Sequence, residues 1–300
     1  NYPLAVVAVL DEQLSVKITY DTSKFDSATV TRMLGHFQTL FEGIVANSVG
    51  SIEQLPMLTE VERQQLLIDW NSTAAEYPQD KCIYQLIEAQ VEQTPDAIAV
   101  VFENQQLTYR ELNNRANQLA NYLQTLGVGP EMFVGLCMEP SLETTVGLLG
   151  ILKAGGVYVP LDPQLPKQRL AFMLENAQVS ILLTQKSLSA ELPIEQIKVI
   201  CIDSDWEIIA SNSITTPVSL VKPQNLACIF YTSGSTGKPK GVLVVHEGLV
   251  NYALAAVKDF ELQSSDRILQ LASLSFDVFL EELLPTWLSG ATVVLRDSNI

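Results

Sequence analysis

The sequence predicts an α/β fold, and three observations predict it. From Cys82 onward, strand-like and helix-like segments alternate; the strands are near-continuously apolar; and the helical segments carry their own start and stop signals. Strands that are apolar on both faces belong to a parallel sheet covered by helices on both sides. With 300 residues, 47% of them hydrophobic, the chain can bury a large core and make one large domain or parts of two.

Taken in order, the first segment pairs an alternating strand, LSVKITYD, with a helix capped by Asp26. Val30, Met33, Leu34, Phe37, Leu40, Phe41, Ile44 and Val45 hold helical spacing along that helix and require a packing partner. Thr59 and Glu62 form a capping box for a short helix ending near Trp70, and NSTAAEYPQDK reads as a linker. After it, IYQLIEAQVEQ is a helix closed by Pro95, and AIAVVFE and QLTY make a hairpin over residues 103–105. Thr108 and Glu111 form a second capping box for a helix that runs to Leu126 and stops at Gly127.

Next come strand MFVGLCM, helix SLETTVGLLGILKAG capped by Ser141 and ended near Gly155, strand GVYVPLD, helix LPKQRLAFMLENA, and strands VSILLT and IKVICI. LACIFY and GVLVVH are two further apolar strands that flank a glycine-rich stretch. No internal repeat or low-complexity tract is evident. The chain opens on NYPLAVVAVL in mid-pattern and stops on LRDSNI just after a strand-like run, so it reads as a piece of something longer.

Composition removes several functions. A net charge of −16 repels nucleic acid and anionic membrane over most of the surface, so a phosphate ligand has to be met by local lysines or backbone N–H groups. Cys82, Cys137, Cys201 and Cys228 stand far apart without a C-x-x-C pair, which suits small core side chains in a reducing compartment. With only His36 and His246 present, no zinc cluster is expected and no metal site is assigned. Asn71-Ser-Thr fits a glycosylation acceptor formally, yet no signal segment opens the chain, and the apolar runs are too short to cross a bilayer. The expectation is a cytoplasmic protein.

The stretch YTSGSTGKPKG, residues 231–241, carries the chemistry. It is not a Walker A loop, because Gly234 and Gly237 are three apart and Lys238 is followed by Pro239 rather than by a helix. The spacing fails G-x-G-x-x-G as well. A phosphate cradle remains: glycines turn successive N–H groups toward one anion, Thr232, Ser233, Ser235 and Thr236 supply hydroxyls, and Lys238 and Lys240 supply charge. A Gly/Ser/Thr-rich connection is also the composition of a plain surface turn, and composition alone leaves both readings open.

The whole stretch resembles the phosphate-binding signature of adenylate-forming enzymes. LTYRELN (residues 107–113), LKAGGVYVPLD (residues 152–162) and SFDVF (residues 275–279) are similar to core motifs of the adenylation domains of nonribosomal peptide synthetases, and they occur in the same chain order. The start resembles the tail of a condensation-type domain, and LPMLTEVERQQLLIDWN the linker that joins such a domain to an adenylation domain. The resemblance implies residues 1–58 as the condensation-type end, 59–80 as linker and 81–300 as the N-terminal part of the adenylation domain. The fold implied is the large-subdomain portion of an adenylate-forming enzyme, preceded by a strand–helix remnant.

The implied activity is ATP-dependent activation of an amino acid as aminoacyl-AMP, followed by transfer to phosphopantetheine on a peptidyl carrier domain. ATP and Mg2+ are the implied small-molecule requirements, with the condensation domain and a small accessory activator protein as further partners. Residues 232–238 and Lys240 would hold nucleotide phosphates: Thr232, Ser233, Gly234, Ser235, Thr236, Gly237 and Lys238. The same resemblance places Asp277 on the substrate's α-ammonium and Val278 and Glu281 in the side-chain pocket, whereas local sequence alone makes Asp277 a helix N-cap with a solvent-facing carboxylate. A buried carboxylate in that role needs a cation, and Phe279 departs from the serine common at its position.

Both LTYRELN and LKAGGVYVPLD are also accounted for by local structure alone, as hairpin plus capping box and as helix end plus buried strand. His246 and Glu247, at a strand-to-helix junction, are expected to be local capping residues rather than catalysts. The catalytic lysine of the small C-terminal subdomain would lie beyond Ile300, so these residues alone are expected to be inactive. An acyl- or aryl-CoA ligase shares the glycine loop but needs no ammonium partner, and a noncatalytic degenerate module is the third reading.

Overall fold

The computed structural model describes residues 2–192, 197–233 and 239–296. The chain forms two compact units, Asn1–Glu76 and Tyr77–Ile300. In the first, β1 (Leu4–Leu10) pairs antiparallel with β2 (Leu14–Tyr20), from Leu4 opposite Tyr20 to Leu10 opposite Leu14. The alternating pattern of β2 was legible in sequence. Its partner β1, LAVVAVL, is a uniform apolar run that sequence analysis leaves unpaired. Helix α1 (Ser27–Ala46) is capped as expected, with Asp26 accepting the Thr29 N–H at 2.8 Å, but only Val30 of its apolar face is buried.

The Thr59–Glu62 capping box is present at the start of α2 (Glu60–Gln64). Its glutamate does more than cap. The Glu62 carboxylate accepts from the Thr59 hydroxyl at 2.8 Å and N–H at 3.0 Å, and lies 2.9 Å from His36 Nε2 on α1. The Thr59 bonds, then His36, hold its pKa below the ordinary glutamate value.

The second unit begins with α3 (Ile83–Gln93), the hairpin β3 (Ile98–Phe102) and β4 (Gln105–Thr108), and α4 (Tyr109–Thr125). It continues through β5 (Phe133–Cys137), α5 (Leu142–Ala154), β6 (Val157–Pro160), α6 (Lys167–Asn176), β7 (Ile181–Thr184), α7 (Lys186–Ser189), β8 (Lys198–Cys201) and α8 (Trp206–Ala210). The last elements are β9 (Leu226–Thr232), β10 (Lys240–Val245), α9 (His246–Asp259), β11 (Arg267–Gln270), α10 (Val278–Leu288) and β12 (Thr292–Leu295).

Two sheets form, where the sequence predicted one. The larger has the order β10-β9-β6-β5-β7-β8, parallel except for β10 against β9. The smaller has the order β11-β12-β3-β4 and takes the predicted hairpin, with β3 joined in parallel to β12. Alternation of elements sets the class of fold but not which strand meets which, and β3 finds its partner almost two hundred residues downstream.

Helix α5 explains how two sheets share one core. Every residue of it except Glu143 is buried, and it packs on β5 and β6 of one sheet and on β3 of the other. A helix apolar all round has to be enclosed on all sides. Gly150 lets α4 close on α5, since a Cβ there would lie 2.6 Å from Leu119 Cδ2. Gly155 ends α5 at φ +93°, the left-handed conformation that favours glycine. Ser141 stands at the N-cap position as expected, but its side chain makes no capping bond. On the other face of the larger sheet, Leu170, Met173 and Leu174 of α6 cover Val159, Leu161, Leu182 and Ile229.

Candidate functional site

Because β5, β6 and β9 run parallel, the residues after their C-terminal ends share one edge of the larger sheet. Strand order reverses at β5, whose neighbours β6 and β7 lie on opposite sides. In open α/β sheets such a switch point opens a crevice beyond the carboxyl ends of the strands. A cleft is present there, lined by Met138, Glu139 and Asp162 from this edge and by Ser273, Phe279 and Arg296 from the smaller sheet and its connections.

The glycine stretch begins on the same side of the sheet, at the C-terminal end of β9, and returns as β10. Thr232 and Lys240 are register partners across this hairpin, and Thr232, Ser233 and Lys240 are exposed. Gly234, Ser235, Thr236, Gly237 and Lys238 lie outside the described residues. The exclusion of a Walker A loop holds, because strand β10 and not a helix follows Pro239. Tyr231 faces inward, its hydroxyl donating to Asn176 Oδ1 at 2.8 Å.

Asp277 is the N-cap of α10 and accepts the Val278 N–H at 3.0 Å. The carboxylate is exposed, as are Val278 and Glu281, so the premise of a buried charge in need of a cation is corrected: water reaches Asp277. Phe279, the departure from the family pattern, is buried in the core at 3% exposure and forms part of the cleft wall.

Three residues escaped sequence reasoning. Tyr252 of α9 faces α10, and its pKa is raised to about 12, by burial first, then by the charge and hydrogen bond of Glu281, then by Asp277. Only the packing of α9 on α10 brings these groups together, so no sequence spacing signals them. Asp162 bonds the connection ahead of Asp277: its N–H donates to Ser275 Oγ at 3.0 Å and its Oδ2 accepts from the Ser273 hydroxyl. Glu282 accepts the Leu271 and Ala272 N–H groups at 3.1 Å each.

The expectation for His246 and Glu247 is also corrected. His246 is fully buried at the first position of α9, with Val245 as the N-cap; neither ring nitrogen has a partner among the described residues. Burial lowers its pKa to about 4, disfavouring the protonated ring. Glu247 accepts from the Tyr77 hydroxyl at 3.3 Å. All four cysteines are buried and free, and burial raises the thiols of Cys82, Cys137 and Cys228. Among the described residues no cluster of three or more metal-ligating side chains forms, and no helix is long and apolar enough to cross a membrane.

The two-sheet α/β unit has the fold of the large subdomain of adenylate-forming enzymes. Residues 87–300 match the family model for an AMP-binding enzyme and residues 1–67 that for a condensation domain. The chain belongs to the AMP-binding enzyme family, in the arrangement of a nonribosomal peptide synthetase: a condensation-domain end joined to an adenylation-domain beginning.

Tyrocidine synthase 3 of Brevibacillus parabrevis is 41% identical over 291 residues, covering 95% of this chain and 4% of that protein. Bacitracin synthase 3 of Bacillus licheniformis is 40% identical over 285 residues, 95% of this chain and 4% of its own length. The chain thus spans a small part of the relatives it matches. The nonribosomal peptide synthetase FmoA3, also solved in an AMPPNP-bound form, superposes with a TM-score of 0.82 at 30% identity, over 98% of this chain and 31% of that one. The N-terminal subdomain of Klebsiella oxytoca NpsA, in complex with 3-hydroxybenzoyl-AMSN, has a TM-score of 0.66 at 27% identity, over 75% of this chain and 56% of that one.

Proposed function

We propose that this chain serves a cytoplasmic synthetase module that activates an amino acid with ATP as aminoacyl-AMP and passes it to the phosphopantetheine thiol of a peptidyl carrier domain. Residues 1–58 would close the condensation domain, 59–80 link it, and 81–300 begin the adenylation domain. One observation carries this reading: Thr232, Ser233 and Lys240 of the hairpin, and the connection leading to Asp277, are all attached to the carboxyl edge of a single sheet.

In this reading the amino-acid carboxylate attacks the α-phosphorus and pyrophosphate leaves. The hydroxyls of Thr232, Ser233, Ser235 and Thr236, the amides of Gly234 and Gly237, and the ammonium groups of Lys238 and Lys240 hold and neutralise the departing phosphates. Asp277 meets the substrate α-ammonium, and Val278 and Glu281 line the side-chain pocket. A substrate that covers Asp277 would take water from the carboxylate and strengthen the ion pair as it binds. Mg2+ would enter with the nucleotide phosphates, since the described residues offer it no cage of their own. An accessory activator protein is a further proposed partner.

The test is amino-acid-dependent ATP–pyrophosphate exchange by the module that contains this chain. Exchange with one or a few amino acids, strongly weakened in Asp277→Ala and in Lys240→Ala, is the expected result. Exchange with acids that lack an amine would replace this reading with an acyl- or aryl-CoA ligase, and no exchange with any acid would make the module degenerate.

A further inference from the structure

The connection from β11 to α10, residues 271–277, has no regular secondary structure, yet its last residue is the proposed ammonium partner. What fixes it therefore fixes the substrate. Its near end is held by Glu282, which sits on α10 itself and so ties the connection only to its own helix. Its far end is held by Asp162, which follows β6 in the other sheet.

The contacts at Asp162 are reciprocal. Its backbone N–H donates to Ser275 Oγ at 3.0 Å, its Oδ2 accepts the Ser273 hydroxyl, and its Oδ1 accepts the Gln164 N–H at 2.8 Å, which braces the carboxylate. The Ser275 N–H closes the ring on Ser273 Oγ at 3.3 Å. Strand β6 is the direct neighbour of β9, from which the glycine hairpin springs. Asp162 is thus bonded to the Asp277 connection on one side and belongs to the phosphate-binding sheet on the other.

We infer that Asp162, acting through Ser273 and Ser275, is a positioning residue that sets Asp277 relative to the glycine hairpin, and so places the amino acid against the nucleotide. The inference rests on the proposed role of Asp277. It gives the end of LKAGGVYVPLD and the start of SFDVF a joint task that neither stretch shows alone: the two are 113 positions apart and meet at one ring of hydrogen bonds.

Exchange kinetics of the module test it, with the KM values for amino acid and for ATP measured separately. Misplacing a reacting group by about 1 Å costs on the order of 100-fold, so Asp162→Ala is expected to lower kcat/KM for the amino acid about 10- to 100-fold. The KM for ATP should stay within about twofold, because the hairpin keeps its own β9–β10 pairing. Asp162→Asn can accept the Gln164 N–H and donate to Ser273 Oγ, so it should restore most of the loss.

Ser273→Ala, which removes one hydroxyl and leaves the β6 end untouched, should raise the amino-acid KM alone, and it decides the matter if Asp162→Ala does not fold. An unchanged amino-acid KM in both variants, an equal rise in the two KM values, or an Asn variant as impaired as Ala would overturn the inference. Asp277→Ala is the reference. If it leaves the amino-acid KM unchanged, the proposed role of Asp277 falls and takes the inference with it; if it raises that KM while Asp162→Ala and Ser273→Ala do not, the inference alone falls.

Discussion

His246 is expected to make the second unit sensitive to mild acid. The imidazole is fully buried, meets the edge of Tyr84 at 5.9 Å between ring centroids, and has no hydrogen-bond partner for either nitrogen among the described residues. Burial without a partner disfavours the charged form, and the ring titrates at about 4 when folded against 6.5 ordinarily. The folded state therefore binds fewer protons than the unfolded state between these values, so stability rises with pH across this window and is lost as pH falls. The loss attributable to this one ring is about 1 kcal/mol at pH 5.5 and about 3 kcal/mol once pH is below the folded value.

Urea unfolding, followed by the fluorescence of the buried Trp287, measures this directly at pH 7, 6 and 5. Carboxylates with depressed values, such as Glu111 under its Thr108 cap, also cost stability on acidification, but only below the ordinary carboxylate range. Subtracting a His246→Leu variant removes them. Leucine is close in volume and leaves no polar atom stranded, so the variant should lie within about 1.5 kcal/mol of the parent at pH 7 and be nearly flat down to pH 5. Equal pH slopes for parent and variant, or an imidazole titrating near 6.5 by NMR, would refute the argument.

Glu88→Gln should destabilise by about 3–5 kcal/mol, because it strands the Lys153 ammonium, whose side chain is 1% exposed; adding Lys153→Met should recover most of that in the same unfolding assay. Burial already lowers the Lys153 pKa against the pull of Glu88, so the Glu88→Gln variant should regain stability as pH rises toward the ordinary lysine value. Gly150→Ala should cost about 1–3 kcal/mol despite better helix propensity, since its Cβ would lie 2.6 Å from Leu119 Cδ2, and Leu119→Ala in the same chain should make the two losses less than additive in urea midpoints.

What was legible in the sequence was local. Asp26, Thr59–Glu62 and Thr108–Glu111 announce helix starts because a cap is written within four residues, and each is present. Gly155 announces the end of α5 for the same reason. The hairpin β3–β4 was readable as a hairpin, but its transfer to a second sheet depends on β12, which no nearby residue specifies. Burial at the site was the least legible. Asp277 reads equally well as a cap or as a charge in a pocket, and it is an exposed cap here. His246 reads as a polar residue at a helix start and is instead fully buried against Tyr84 of α3. Asp162 closes an apolar strand in sequence, and its serine partners appear only when two sheets meet.

The ends of YTSGSTGKPKG obey packing, and that separates its residues into two kinds. Tyr231 is buried and bonded to Asn176, and at Gly241 a Cβ would lie 2.6 Å from Ile229 Cδ1, so any side chain there makes Ile229 shift. Between them, Thr232 and Lys240 are partners in an antiparallel register, and a one-residue slip would turn both to the opposite face. The hairpin thus sets Lys240 by strand register, and strand β10 rather than a helix N-terminus follows Pro239, so no helix dipole starts there to serve the proposed phosphate site. In the proposed role, side-chain hydroxyls, backbone amides and ammonium groups would carry the neutralisation that a helix end supplies elsewhere. Gly241→Val should accordingly damage phosphate binding without removing any group that touches phosphate, by forcing β10 away from Ile229 and misdirecting Lys240. A raised KM for ATP with an unchanged KM for the amino acid is the outcome that this account requires.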